Sequence, residues 1–177
     1  VEHETLGATR VDFEVVERHE TLVAGTVLRS PALAVEGPRR QKVEEAWKRT
    51  LARRLPGPPA TAYVDHAPEI GSYLTHIVGY QCESLDDLQP GDVLARIPAA
   101  KFARFLRTGD NLGDTIVSIW RAVWDLEAAG ALVRAYTGDF EHYPEARTVE
   151  VFVALQSDPL TDALNNGVAQ ADSGENR

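Results

Sequence analysis

The chain has 177 residues, 44% of them apolar and 25% charged, with a formal net charge of -9. That length and composition suit one well-buried globular domain, or two small modules sharing a core. The acidic balance disfavours a surface that tracks nucleic-acid phosphates and better suits a neutral or cationic ligand. The single cysteine, Cys82, excludes an internal disulfide and has no partner at metal-ligand spacing, so it reads as a small apolar filler. No apolar run approaches the roughly 20 residues that span a bilayer, and no basic-then-apolar leader opens the chain. A cytoplasmic protein with no membrane partner and no direct DNA binding is expected.

Residues 1–10 are polar and aperiodic, an N-terminal extension. Val11 to Arg18 and Thr21 to Leu28 alternate and are rich in β-formers, so two strands broken at Arg18-His19-Glu20 are predicted. After a turn-rich segment, Pro38 fits the first position of a helix. From Arg39 to Leu55 the residues Val43, Trp47, Thr50, Leu51 and Leu55 recur at helical spacing, with arginines and lysines on the outer face. Glu44 and Glu45 interrupt that basic face, which reads as a solvated one. Pro56-Gly57-Pro58-Pro59 ends the helix.

A strand pair follows over Thr61–His66 and Ser72–Gln81; in the second strand Tyr73, Thr75 and Ile77 share one face and Leu74, His76, Val78 and Tyr80 the other. His66 and His76 match no metal-ligand spacing and read as ordinary strand histidines. The acidic loop Glu83–Gly91 divides the chain, and the pattern restarts: strands over Asp92–Ile97 and Lys101–Arg107, a helix over Asp114–Ala129, then strands over Leu132–Tyr143 and Thr148–Leu155. The second helix has a broad stripe including Ile116, Ile119, Trp120, Val123 and Trp124. The tail, 157–177, is polar and aromatic-free, and disorder is expected there.

Both halves share the order strand, strand, helix, strand, strand, giving pseudo-repeats of about 11–81 and 92–156. Neither is large enough to bury a sheet alone, so they should pack together, with a ligand groove between them. In Asp139-Phe140-Glu141-His142-Tyr143, alternation puts Glu141 on one face with Asp139 and Tyr143, and turns Phe140 and His142 the other way. Local pattern admits Glu141 either as an exposed strand residue or as a carboxylate ringed by aromatics at the centre of a pocket.

The second reading gains from the order of Tyr73, Val78-Gly79-Tyr80, Pro90-Gly91, Ile97-Pro98-Ala99-Ala100-Lys101-Phe102, Trp120, Trp124-Asp125-Leu126, Phe140-Glu141-His142-Tyr143 and Val149-Glu150-Val151-Phe152-Val153. Over residues 11–156 the chain resembles the GyrI-like small-molecule-binding domain, found also as the effector-binding domain of multidrug-responsive and AraC-type regulators. The resemblance implies an α+β fold of duplicated strand-helix-strand-strand modules, with an antiparallel sheet, two helices on one face and a ligand cleft on the other. It also implies that Glu141 lies at the cleft floor. With no DNA-binding domain in the sequence, a freestanding monomer or homodimer is expected.

A buried carboxylate selects cations, and neighbouring rings add cation-π attraction of about 0.5–2 kcal/mol each. The expected ligand-binding set is Glu141, Tyr63, Tyr73, Trp120, Tyr143 and Phe140, with Tyr80, Tyr136 and Phe152 as further ring candidates and Trp124 as core. The expected ligand is a small hydrophobic molecule, cationic or aromatic, with no cofactor and no metal. The alternative is a hydrolase of electrophilic cyclopropane-containing compounds, an activity known among GyrI-like proteins, with Glu141 as general base beside Tyr73 or another tyrosine. Nucleic-acid mimicry toward gyrase, and haem ligation through His66 or His76, have no specific motif behind them.

Overall fold

Eight strands and two α-helices organise residues 13–31, 37–67 and 73–157, the residues described by this computed structural model. In chain order they are β1 (Glu14–Arg18), β2 (Thr21–Pro31), α1 (Gly37–Leu51), β3 (Pro59–Ala67), β4 (Tyr73–Cys82), β5 (Val93–Ile97), β6 (Ala100–Thr108), α2 (Leu112–Ala128), β7 (Asp139–Glu145) and β8 (Thr148–Ala154). The N-terminal extension and the polar tail beyond Ser157 lie outside the described residues. Pro59 opens β3, a position where a strand tolerates the missing N–H. Asn111 caps α2 by accepting the amide of Asp114.

The strands form one antiparallel sheet in the order β1-β6-β8-β7-β3-β4-β2-β5. Exchanging β1 with β5, β2 with β6, β3 with β7 and β4 with β8 reverses this order onto itself. A pseudo-two-fold axis therefore runs between β3 and β7, and the duplicated modules are real. Each repeat lends its first strand to the other, since β1 pairs with β6 and β5 with β2. Aligning the turn ends Arg18 and Thr21 with Ile97 and Ala100, and following the ladders inward, equates Val23 with Phe102 and Val78 with Val151. The same count equates Thr61 with Glu141 and Tyr63 with Tyr143.

The two sheet faces have different cores. On one, the α2 stripe of Ile119, Trp120 and Val123 packs on Ala103, Phe105, Val149, Val151 and Val153. α1 covers the same face, burying Ala46 and Thr50, whose hydroxyl donates to the Val78 carbonyl. The helix-free face is filled by Val23, Ile77, Ile97, Phe102, Phe140 and Phe152. There the Phe140 and Phe152 rings stack 4.5 Å apart.

Two expectations are corrected. Leu51, placed in the apolar stripe of α1, is 60% exposed. At 100° per residue the buried face is centred on Val43, Ala46, Trp47 and Thr50, and Leu51 lies at its edge where the helix ends. The segment from Leu132 is not a strand up to Asp139: Tyr136 has φ 56° and Gly138 φ 146°, and these positive-φ residues break the extended run that alternation suggested.

Candidate ligand site on the pseudo-two-fold axis

β7 is hydrogen-bonded on both sides, to β3 and β8, which fixes the direction of every side chain along it. Glu141 faces the helices and is 1% exposed. Its Oε1 accepts from the Tyr63 hydroxyl at 2.6 Å and from the Trp120 indole N–H at 2.7 Å. Its Oε2 accepts from the Tyr143 hydroxyl. Because that proton points at the carboxylate, the Thr61 hydroxyl is the donor in its 2.9 Å contact with the Tyr143 oxygen.

The rings around the carboxylate obey the pseudo-symmetry. Trp120 of α2 meets Tyr63 at 4.9 Å and 70°, and Trp47 of α1 meets Tyr143 at 5.2 Å and 89°. Each helix thus sets one tryptophan edge against the tyrosine of the repeat other than its own. His76 stacks on Tyr63 at 4.5 Å. The frame is duplicated, but the charge is single: Thr61 and Glu141 sit directly opposite each other in the β3–β7 ladder.

Burial pushes the Glu141 carboxyl above its ordinary range, and the bonds from Tyr143, Tyr63 and Trp120 oppose that shift. The Tyr63 and Tyr143 phenols are held well above theirs, first by burial and then by the adjacent Glu141 charge, so both remain donors at neutral pH. Burial lowers His76 to about 4, leaving it neutral, and its Nε2 has no hydrogen-bond partner. Among the described residues no cation pairs with Glu141; every group that holds it is neutral.

Of the six expected ligand residues, Glu141, Tyr63, Trp120 and Tyr143 converge. Phe140 and Tyr73 do not. Phe140 is fully buried in the phenylalanine stack on the helix-free face, and Tyr73 alternates with Thr75 and Ile77 on that same face. Tyr73 is therefore no partner for Glu141 in either role. Of the further rings, Phe152 is core and Tyr80 lies in a satellite cluster with Ala24 and Cys82. The Tyr136 hydroxyl is spent on Glu127.

The helix-free face does carry a cleft, about 380 Å³ in volume and floored by Val27, Val64, Ile77 and Ala95, but none of the six residues lines it. The carboxylate lies instead between the sheet and the two helices. Reading the residues in sequence left out Trp47 and Thr61. The signal for Trp47 was present: it occupies in the α1 stripe the place Trp120 holds in that of α2. Among the described residues no group of three or more His, Cys, Asp or Glu side chains could hold a metal ion. No helix among them is long and apolar enough to cross a membrane.

Duplicated modules on one antiparallel sheet, with a helix pair on one face, define the GyrI-like effector-binding fold, and the resemblance read from the sequence holds. The chain belongs to the Cass2 family of integron-associated effector binding proteins, whose profile matches residues 14–155. Among solved structures it is similar to an integron cassette protein from the mobile metagenome of Vibrio cholerae, with a TM-score of 0.69 and 23% identity over 81% of this chain and 95% of that one. It is also similar in fold to SAV2435, solved bound to tetraphenylphosphonium, with a TM-score of 0.60 and 8% identity over 82% of this chain and 94% of that one. No curated protein matches the chain significantly.

Proposed function

We propose that the protein binds small hydrophobic cations between the two helices, with Glu141 as the charge-selecting group. One observation carries this reading: a carboxylate 1% exposed, held by three neutral donors and lacking a cation among the described residues. Neutral donors offset part of the desolvation cost of the anion, and a ligand cation between Trp47 and Trp120 supplies the rest while gaining the faces of those rings. The tetraphenylphosphonium-bound neighbour supports the same ligand class by fold analogy.

The test is a calorimetric titration with tetraphenylphosphonium. Wild type should bind, and Glu141→Gln, which preserves shape and removes charge, should bind at least tenfold more weakly. Equal affinities would defeat the proposal.

The hydrolase reading uses the same carboxylate as base. Oε2 accepts one hydrogen bond and keeps a further lone pair able to accept from a water, and the Tyr63 and Tyr143 hydroxyls are the nearby acids. Ring-opened product from a cyclopropane-bearing alkylator, lost in Glu141→Gln, would favour turnover over binding.

A further inference from the structure

Strand alternation places a second buried carboxylate, Asp139, on the same face of β7 as Glu141, two residues away, and it is 0% exposed. The two are held very differently. Asp139 Oδ2 accepts from Arg134 Nη2 at 2.6 Å, and its Oδ1 accepts the Ala154 amide at 2.8 Å. The Arg134 side chain is itself 5% exposed. Its guanidinium carbon lies 4.3 Å from the Tyr136 ring centroid and 5.8 Å from that of Trp120. Trp120 is the indole that donates to Glu141, so a fixed positive charge stands beside a ring of the ligand box.

Of the remaining groups around this pair, one is a charged but solvent-screened carboxylate and one a neutral ring. Glu127 is 3.6 Å from Arg134 and more exposed, with a side-chain accessibility of 29%. His66 lies 3.8 Å from Asp139, and burial lowers its pKa, which favours the neutral ring. Two fully buried carboxylates and one buried guanidinium leave one uncompensated negative charge, on Glu141.

We infer that Arg134 makes this a single-charge site. By neutralising Asp139 and standing beside Trp120, it restricts the ligand to one positive charge and disfavours compact dications. This rests on the cation-binding reading and names its ligand class more narrowly. Arg134 acts through Asp139 and Trp120, and is a specificity-setting residue rather than a ligand contact.

The test compares N-methyl-4-phenylpyridinium with N,N'-dimethyl-4,4'-bipyridinium, two-ring molecules of similar shape carrying one and two fixed charges. Calorimetry on the wild type should show the monocation at least tenfold tighter. In Arg134→Gln, with folding checked by circular dichroism, the gap should shrink severalfold because Asp139 is freed. Where that variant does not fold, Asp139→Asn serves. It leaves Arg134 with only the more exposed Glu127 as counter-charge, so monocation affinity should fall severalfold with Glu141 intact, while a neutral biphenyl analogue binds as before. Equal affinity of monocation and dication for the wild type would overturn the single-charge inference and leave cation binding standing. Failure of both, and of tetraphenylphosphonium, to bind would remove the cation-binding reading and this inference together. A gap unmoved in folded Arg134→Gln, or neutral-analogue binding lost in Asp139→Asn, would also overturn it.

Discussion

The two repeats share a backbone plan and differ in what they put on it. On the helix face they are nearly matched: Tyr63 answers Tyr143 and Trp47 answers Trp120, yet Thr61 stands where the second repeat has Glu141. On the opposite face the positions of Phe102, Phe140 and Phe152 are held in the first repeat by Val23, Ala60 and Gly79. Gly79 is needed there because β2 and β4 run close together. A Cβ on it would meet the Ala24 carbonyl oxygen at 1.8 Å. The second repeat fills its half of the core with rings, and the first closes the gap by backbone approach. Duplication supplies the frame around Glu141, and its single charge stands at one of the positions where the copies diverge.

The largest expected effect tests the packing side of this contrast. Phe140→Ala should cost about 3–5 kcal/mol in urea unfolding, because the stack with Phe152 and the edge of Phe102 cannot collapse around the void. Its counterpart change, Ala60→Gly, should cost only about 1–2 kcal/mol, the sum of a backbone-entropy effect and one buried methyl group. Costs within about 1 kcal/mol of each other would mean that the repeats are packed alike after all.

A smaller effect separates the tryptophans. Trp120→Phe keeps a ring but removes a donor to Glu141, driving the carboxyl further toward its neutral form. Tetraphenylphosphonium affinity should fall about tenfold, equivalent to about 1.4 kcal/mol. Trp47 gives no hydrogen bond to the carboxylate, so Trp47→Phe should lose only the difference in ring area and quadrupole, about threefold. Equal losses would show that the indole N–H is irrelevant and that only ring size matters.

The repeat is legible in the order of strands and helices, whereas local alternation leaves Glu141 either exposed or buried and only the family resemblance favours a pocket. Alternation alone put Glu141 with Tyr143 and turned Phe140 away, and the structure agrees. What escaped were relations across the sheet. Tyr73 enters the expected set as a ring and hydroxyl carried by the family resemblance, although its own alternation with Thr75 and Ile77 sends it to the other face. Trp47 looked like ordinary core because one helix read by itself does not say which strand lies under it. The exchange of β1 and β5 between repeats has no local signature, since either strand is equally amphipathic beside any neighbour. The break at Tyr136 was hidden because tyrosine is a β-former and carries no turn signal.

The smallest effect concerns His76, whose counterpart in the second repeat is Val149. Burial depresses the His76 pKa from 6.5 to about 4. A depressed folded-state value means that the group's contribution is present above 6.5 and is lost as pH falls toward about 4, because the unfolded chain takes up the proton first. Glu141 runs in the opposite sense. Its raised value favours folding below the ordinary carboxyl range and disfavours it as pH rises through the folded-state pKa, so ligand-free Glu141→Gln should lose that upper slope. Making the repeats alike with His76→Val should therefore spare about 1 kcal/mol of the stability that wild type loses between pH 7 and 5.5, read from urea midpoints at each pH. Burial also lowers His66 and His142, so part of the acid limb should survive the substitution. A variant whose stability falls as steeply as wild type would assign the whole limb to those two histidines. The ring stacked on Tyr63 would then contribute by shape alone.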